Sequence, residues 1–279
     1  MADFSNKITL ITGGACGLGR FIALKMAARG SHVVLWDIAD ESLAEIATEM
    51  SAAGYQATLY HCDVSDREMV YDTADKVRNQ VGRVDILMNN AGVVSGRPFL
   101  ECTDDQLRRT MEVNALAHFW TVKAFLPDMV RANSGYIVTI ASAGGIVGSA
   151  GLVDYAASKF AAFGFDEALR AELKKQKLNI HTAVVCPYFM KGDMFEGVKT
   201  RFSFLLPILN AEQVSERIVN TIARKKRRLI MPPLVYATWP LRLLPVAIFD
   251  KAATFLGIND AMDQFRGRRP RSNKDLHYD

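Results

Sequence analysis

The sequence contains few cysteines and no long apolar run. Its 279 residues include four cysteines (Cys16, Cys62, Cys102 and Cys186), which are widely spaced and form no Cys-x-x-Cys pair. This spacing excludes a disulfide framework and a zinc site, and it predicts reduced thiols. No stretch reaches roughly 18 uninterrupted apolar residues, so a membrane-spanning helix is not expected. A signal peptide is not expected either, because no basic segment precedes a long apolar one at the start of the sequence.

These absences predict a cytoplasmic protein, either soluble or resting on a membrane surface. The charge distribution bears on that choice. Residues 217–279 contain 13 lysines and arginines against 5 acidic residues, whereas residues 1–216 contain 21 against 25. A solvated basic face is the simplest interpretation, and attraction to anionic lipid is the alternative because apolar residues separate clusters 224–228 and 266–271. Nucleic acid is not an expected partner, since no reading helix or aromatic stacking platform accompanies the charge.

Apolar runs typical of β-strands alternate with longer helical patterns. With 49% hydrophobic and 23% charged residues, the composition fits a globular α/β protein. Alternation of this kind predicts right-handed βαβ units and a parallel sheet. Helices are predicted over 21–29 and 41–53, the latter stopped by Gly54. Strands are predicted over 8–11, 32–36, 58–61, 86–88, 136–140 and 180–185.

A glycine-rich turn lies between the first predicted strand and the first predicted helix. The segment reads Thr-Gly-Gly-Ala-Cys-Gly-Leu-Gly over residues 12–19. Glycines at 13, 17 and 19 allow backbone amides to approach a pyrophosphate, whose charge then lies at the positive end of the helix. A tight turn without a ligand is the alternative, but the position between strand and helix favours a dinucleotide site.

Asp37 ends the second predicted strand, 18 residues after Gly19. A carboxylate at this position accepts hydrogen bonds from the adenosine ribose and repels a 2′-phosphate, so the sequence predicts NAD(H) rather than NADP(H). Position 16 in the glycine turn is Cys rather than a Lys or Arg that would bind such a phosphate. A strand-end cap without a ligand is the alternative for Asp37.

Tyr155 and Lys159 are four residues apart in a helical pattern, so their side chains share one face. A free tyrosine has a pKa near 10, and a neighbouring ammonium together with a positive nicotinamide ring would favour its phenolate form. Ser142 follows the strand predicted over 136–140, where its hydroxyl could hold a substrate oxygen. Asn114 lies in a helical stretch, where a buried amide could organise a water beside Lys159. The segment Asn-Asn-Ala-Gly at 89–92 follows another strand and could line a cofactor cleft.

In order and spacing, these motifs resemble the short-chain dehydrogenase/reductase family over roughly residues 5–230. The resemblance implies a doubly wound (Rossmann) parallel sheet of about seven strands with helices on both faces. It implies a catalytic set of Asn114, Ser142, Tyr155 and Lys159, with Asp63 and Val64 beside the adenine. The predicted cofactor-binding residues are Gly13, Cys16, Gly17, Leu18, Gly19, Asp37, Ile38, Asp63, Val64, Asn90, Ala91, Gly92, Tyr155, Lys159 and Pro187.

A narrower resemblance comes from residues 35–38, 114–121 and 123–127, which look like the branch that contains retinol dehydrogenases and lipid-droplet 17-beta-hydroxysteroid dehydrogenases. This branch implies a retinoid, steroid or long-chain lipid alcohol as substrate and a homodimer or homotetramer. Two departures stand out. Gly192 replaces the family's usual Thr beside the nicotinamide, and the apolar N-terminal anchor typical of animal members is not expected here.

The expected organisation is one NAD-binding domain over residues 1–230, with a substrate lid at 190–210. The apolar and basic extension at 231–279 is expected to pack on this domain, at a subunit interface or against lipid. Three other functions stay open: reduction of a small polar carbonyl, NAD sensing without catalysis, and a lipid-surface scaffold whose enzyme activity is incidental and which only the basic tail supports. The apolar lid disfavours the first, and retention of Ser142, Tyr155 and Lys159 disfavours the second.

Overall fold

Strands and helices alternate through most of the chain in the computed structural model, which describes residues 3–267. The strands are β1 (Ile8–Thr12), β2 (His32–Asp37), β3 (Ala57–His61), β4 (Ile86–Asn89), β5 (Gly135–Ile140), β6 (Ile180–Pro187), β7 (Met190–Lys191), β8 (Leu209–Asn210) and β9 (Arg228–Met231). The helices are α1 (Gly17–Ala27), α2 (Asp40–Ala52), α3 (Arg67–Gln80), α4 (Asp104–Met111), α5 (Ala117–Arg131), α6 (Val153–Lys175), α7 (Ala211–Ala223), α8 (Thr238–Leu241) and α9 (Val246–Phe255). A π-helical turn, Glu112–Leu116, joins α4 to α5.

Seven strands form one sheet in the order β3-β2-β1-β4-β5-β6-β9, and all its pairings are parallel. The chain builds outward from β1 in one direction and from β4 in the other, so a crevice opens at the carboxyl ends of β1 and β4. This confirms the predicted doubly wound sheet. β7 and β8 form a separate parallel pair.

Each face of the sheet carries its own apolar core, because successive strand residues point to opposite sides. In β1, Ile11 packs with Ile22 and Met26 of α1, whereas Leu10 belongs to the cluster on the other face. There the fully buried Trp36 lies against Phe125 of α5, with ring centroids 5.6 Å apart. The two cores place α1, α2 and α7 on one face and α3, α5 and α6 on the other.

The boundaries of two helices test the sequence patterns. α2 ends as predicted, with Gly54 at φ +70° in the left-handed region that its stop requires. α1 begins at Gly17, four residues before the predicted start, so the boundary predicted at residue 21 is wrong. Apolar periodicity begins at Phe21, but the glycines before it already form the first helical turn. Their amides are therefore the amides that an α-helix leaves without intrahelical partners.

Residues 228–258 pack on the same body as the sheet. Met231 and Val235 are buried, and Ser149 Oγ donates a 2.7 Å hydrogen bond to the Ile258 carbonyl. Arg228, in the first basic cluster, pairs with Glu167 at 2.6 Å and so is part of the packing. Residues 268–271 of the second cluster lie outside the described residues. From residue 3 to residue 267, no helix is both long and apolar enough to span a bilayer.

Candidate active site

A cavity of about 340 Å³ lies at the carboxyl ends of the central strands. Every residue predicted to bind the cofactor lines it, and Ser142 lines it as well. Asn114 is fully buried behind the cavity wall. The lining residues that the sequence predicted are Gly13, Cys16, Gly17, Leu18, Gly19, Asp37, Ile38, Asp63, Val64, Asn90, Ala91, Gly92, Ser142, Tyr155, Lys159 and Pro187.

The glycine turn has no room for side chains at two of its positions. A Cβ atom on Gly19 would lie 2.1 Å from the Gly13 carbonyl oxygen, and one on Gly13 would lie 2.9 Å from the Ala91 Cα. Gly17 faces open space, but its φ of +53° favours glycine. The turn thus presents bare backbone amides at the start of α1, which is the chemistry that a pyrophosphate requires.

Hydrogen bonds between β1 and β4 hold this turn in place. Thr12 Oγ1 accepts the Asn90 and Ala91 amides at 3.0 and 3.1 Å. The Asn90 side-chain amide donates to the Thr12 and Gly13 carbonyls at 2.9 and 3.0 Å. Asn90 therefore shapes the glycine turn with its side chain while it lines the cavity.

Asp37 caps local backbone and also lines the cavity. Its carboxylate caps local backbone, accepting the Ala15 amide at 3.0 Å and the Ala39 amide at 3.2 Å. The residue is 8% exposed and lines the cavity beside Ile38. The carboxylate is thus fixed at the nucleotide end of the cavity.

Arg109 of α4 is a lining residue that no sequence pattern indicated. Its guanidinium contacts Asp63 Oδ2 at 2.9 Å and also Ser65 Oγ, while Asp63 Oδ1 accepts the Ser65 amide at 2.9 Å. Burial raises the pKa of Asp63, but the hydrogen bonds from Arg109 and Ser65 outweigh this effect and lower it below its ordinary value. Asp63 is therefore held as a carboxylate. Arg109 lies 46 residues from Asp63 in the sequence, so only the fold brings them together.

Ser142, Tyr155 and Lys159 meet beyond the ends of β5 and β6. Ser142 Oγ accepts the Gly144 amide at 3.0 Å, in a 3₁₀ turn just after β5. Lys159 Nζ donates to the Ile140 carbonyl at 2.9 Å and lies 5.7 Å from the centre of the Tyr155 ring. Both side chains share one face of α6, as their spacing predicts.

Burial dominates the titration of this pair in the protein alone. It raises the pKa of Tyr155 to about 12, against the opposing effect of a hydrogen bond with Ser142. Burial likewise lowers the pKa of Lys159 to about 8. The lowering of the tyrosine pKa that the sequence predicts from the lysine is therefore not seen in the protein alone, where loss of solvent around the phenol has the largest effect.

Asn114 occupies the π-helical turn between α4 and α5. Its side chain accepts the Val93 amide at 2.8 Å and donates to the Val93 carbonyl at 2.9 Å and to Ser158 Oγ at 3.0 Å. A Cβ atom on Gly92 would lie 3.3 Å from Asn114 Oδ1 and 3.5 Å from Lys159 Nζ, so these three groups adjoin one another.

The far end of the cavity is apolar. The Phe195 ring packs edge-on against Tyr155, with centroids 5.7 Å apart, and also against Phe189 at 5.2 Å. Gly192, at the position of the expected Thr, has φ +151°. The apolar walls come from the segment after β6 and from residues 234–258, namely Phe189, Met194, Phe195, Leu206, Leu234, Val235, Leu241, Leu256 and Ile258.

The sheet order, the glycine turn and the buried Ser-Tyr-Lys arrangement define a class: α/β oxidoreductases that bind a nicotinamide dinucleotide. Comparison with known proteins places the chain within it. The family model described as short chain dehydrogenase matches residues 7–201, and the chain belongs to this family.

Two relatives match nearly the whole chain. Human (Homo sapiens) epidermal retinol dehydrogenase 2 is 46% identical over 269 residues, 94% of this chain and 86% of that protein. Short-chain dehydrogenase/reductase family 16C member 6 of Bos taurus is 45% identical over 269 residues, 94% of this chain and 84% of that protein. A crystal structure of a Burkholderia phymatum short chain dehydrogenase/reductase in complex with NAD superposes with a TM-score of 0.77 at 26% identity, covering 98% of this chain and 100% of that one.

Proposed function

We propose that this oxidoreductase interconverts a hydrophobic alcohol and its carbonyl compound, with NAD(H) as cofactor and Tyr155 as acid/base. The observation that carries the proposal is the two-ended cavity. A glycine turn and an acidic strand end form one part, apolar side chains form the other, and Tyr155 lies between them.

The bound cofactor would supply a nicotinamide ring that takes up the hydride during oxidation and returns it during reduction. Tyr155 removes the hydroxyl proton of the alcohol and donates it back to the carbonyl oxygen in reverse. Ser142 orients the same oxygen and stabilises charge that develops on it. Lys159 favours the phenolate and holds the nicotinamide ribose. Asn114 organises a water beside Lys159, through which the proton leaves.

The NAD(H) preference rests on Asp37. A carboxylate fixed by the Ala15 and Ala39 amides keeps its negative charge at this end of the cavity, where it would repel the 2′-phosphate of NADP(H). The relative crystallised with NAD is consistent with this preference.

The hydrophobic substrate class rests on the walls beyond Tyr155. Aromatic and aliphatic side chains line that end, and a bulky apolar alcohol loses little by leaving water there. A retinoid is the first candidate because the human relative is named a retinol dehydrogenase. Steroid and long-chain lipid alcohols have the same apolar character. Reduction of a small polar carbonyl, or NAD binding without catalysis, are the competing functions.

The test is to incubate the purified protein with NAD⁺ or NADP⁺ and retinol, a steroid alcohol, a long-chain alcohol or a small polar alcohol. Absorbance of the reduced cofactor reports turnover. We expect NAD⁺-dependent turnover confined to the bulky apolar alcohols. Turnover with small polar alcohols alone would contradict the substrate class, and calorimetric binding of NAD⁺ without any turnover would favour the regulator.

A second proposal concerns the mouth of the apolar end, which we suggest rests on a lipid surface. Leu243 is 87% exposed and Val246 73% exposed, and they follow the cavity-lining Leu241 closely in sequence. Co-sedimentation with anionic and neutral vesicles tests this contact. We expect Leu243→Glu with Val246→Glu to reduce binding while the far-ultraviolet spectrum stays unchanged. Equal binding of this variant would exclude the contact.

We also propose a homodimer or homotetramer. Helices α5 and α6 expose Phe119 at 44% and Phe160 at 39%, and burial of such rings against a second subunit would be favourable. Light scattering behind size exclusion measures the mass directly. A monomer at micromolar concentration would contradict this proposal.

A further inference from the structure

Asp154 is a buried carboxylate immediately before the catalytic tyrosine. It is 6% exposed and lies in the first turn of α6. Burial of a charge is costly unless hydrogen bonds replace its water, and two hydroxyls do so here. Ser95 Oγ donates to Asp154 Oδ1 at 2.8 Å, and Thr110 Oγ1 donates to Oδ2 at 2.7 Å. One side chain thus fastens the start of α6 to two separate segments.

Those two segments also belong to the candidate active site. Ser95 lies in the loop that follows β4 and the cavity-lining residues 90–93. Thr110 lies in α4, which leads directly into the π-helical turn that holds Asn114. Asp154 therefore fixes the start of α6, and with it Tyr155, to the cavity-lining loop after β4 and to the helical segment that carries Asn114.

The residue next to Thr110 makes the corresponding contact at the other end of the cavity. Arg109 pairs with Asp63 at 2.9 Å, beside the nucleotide end. Consecutive residues of one helix thus reach two carboxylates that belong to different parts of the site.

We propose that Asp154 and Thr110 are positioning residues for Tyr155, and that two neighbouring residues of α4 hold different parts of the site. Thr110 fixes the tyrosine through Asp154, and Arg109 fixes Asp63 for the cofactor. This inference rests on the proposed function. It predicts that two adjacent substitutions in α4 affect different quantities, kcat in one case and the Kd for NAD⁺ in the other, which general loosening of the helix would not produce.

The decisive variants are Thr110→Val, which removes the hydroxyl at nearly constant volume, and Thr110→Ser, which keeps it. We expect Thr110→Val to lower kcat about tenfold, because small displacements of a catalytic group are costly. The Kd for NAD⁺, measured by calorimetry, should stay within about twofold, and Thr110→Ser should restore kcat. Arg109→Gln should instead raise that Kd severalfold.

Thr48→Val is the matched control, since Thr48 is a helical threonine on the exposed side of α2 whose hydroxyl contacts only the Ala44 carbonyl among its described partners. Asp154→Asn should repeat the effect of Thr110→Val, and the double variant should be no worse than either, because both break the same contact.

Crystal structures of wild type and Thr110→Val give a readout that does not depend on turnover. We expect the Tyr155 hydroxyl to move relative to Ser142 Oγ in the variant. An unmoved tyrosine with unchanged kcat would overturn the positioning role. A moved tyrosine in a protein that oxidises no alcohol would support that role while the proposed function fails. Equal losses in Thr110→Val and Thr110→Ser would also overturn the inference.

Discussion

The nucleotide end and the apolar end of the cavity are built by different means. At the nucleotide end, short turns such as residues 12–19 place backbone amides and one carboxylate at the ends of adjacent strands. At the apolar end, the walls are side chains from residues 188–206 and 234–258, in which the structure describes short elements joined by irregular chain. In the proposed function, one end recognises a constant group, the pyrophosphate, with backbone atoms. The other recognises its ligand with side chains that can vary in size without changing the sheet.

This difference determines which property of a ligand each end of the cavity can distinguish. Backbone amides and a fixed carboxylate discriminate between charges, and the proposed preference for NAD(H) therefore rests on Asp37. Apolar walls discriminate mainly by volume, which gives weaker selection among alcohols of similar shape. Tyr155 belongs to both ends, since its ring contacts Phe195 and its helix carries Lys159.

The largest effect is expected where the two ends meet. Tyr155→Phe removes the acid/base and should lower kcat by about 10²–10⁴-fold, which is what general acid–base catalysis contributes. The Kd for NAD⁺ should change little, because the glycine turn and Asp37 are untouched. Calorimetry and turnover measured on the same preparation separate the two quantities. Near-normal turnover would remove Tyr155 from the mechanism.

The pH dependence of turnover by the wild-type protein tests the same acid/base role of Tyr155. Burial raises the pKa of Tyr155 to about 12, so the phenol is protonated at neutral pH in the protein alone. Oxidation needs the deprotonated form and should speed up as the pH rises. Reduction needs the protonated form and should slow down at high pH. Measured with saturating cofactor, parallel slopes in the two directions would contradict the assignment.

At the apolar end, activity should depend on the volume of the lining side chains and not on their charge. Leu256→Trp adds bulk to a wall of the cavity and should lower kcat/KM for a bulky alcohol about 10–100-fold. Shorter alcohols that reach Tyr155 should be affected less. Leu100→Trp is the matched control, because Leu100 is 94% exposed outside the cavity lining. If both variants lose activity equally, the volume argument fails.

At the nucleotide end, the cofactor preference should depend on the charge of the lining side chain and not on its volume. Asp37→Asn keeps the shape and an oxygen for the Ala15 amide but removes the negative charge. The ratio of kcat/KM with NADP⁺ to that with NAD⁺ should rise about tenfold, or roughly 1.4 kcal/mol. Ser42→Ala, at a buried position outside the cavity lining, serves as the control. An unchanged ratio would leave Asp37 as a cap alone.

The same contrast explains which parts of the fold and of the site could be predicted from the sequence. The alternating apolar runs predict a parallel sheet, and local spacing predicts the glycine turn at 12–19 and the strand-end position of Asp37. The number of strands and the adenine-side residues Asp63 and Val64 were predicted from the family resemblance. β9 was missed by its pattern because Arg227 and Arg228 mask a short apolar run, and Arg228 finds its partner Glu167 only in the fold. Arg109 and the Asp154 contacts join residues that are 44 or more positions apart, which no local period encodes.

The smallest effect on turnover is expected for Gly192, which lines the cavity just after β7. Its φ of +151° with ψ 178° lies in a region that only glycine adopts readily. A Cβ atom there would meet nothing within 4 Å, so Gly192→Ala should cost about 1–2 kcal/mol through backbone strain alone. Gly148→Ala is the matched control, because it also faces open space but lacks a positive φ. Thermal unfolding should therefore occur a few degrees lower for Gly192→Ala only. A loss of turnover larger than this strain accounts for would indicate that the backbone at Gly192 couples the two ends of the cavity. Equal melting temperatures of the two variants would exclude strain as the reason for glycine at position 192.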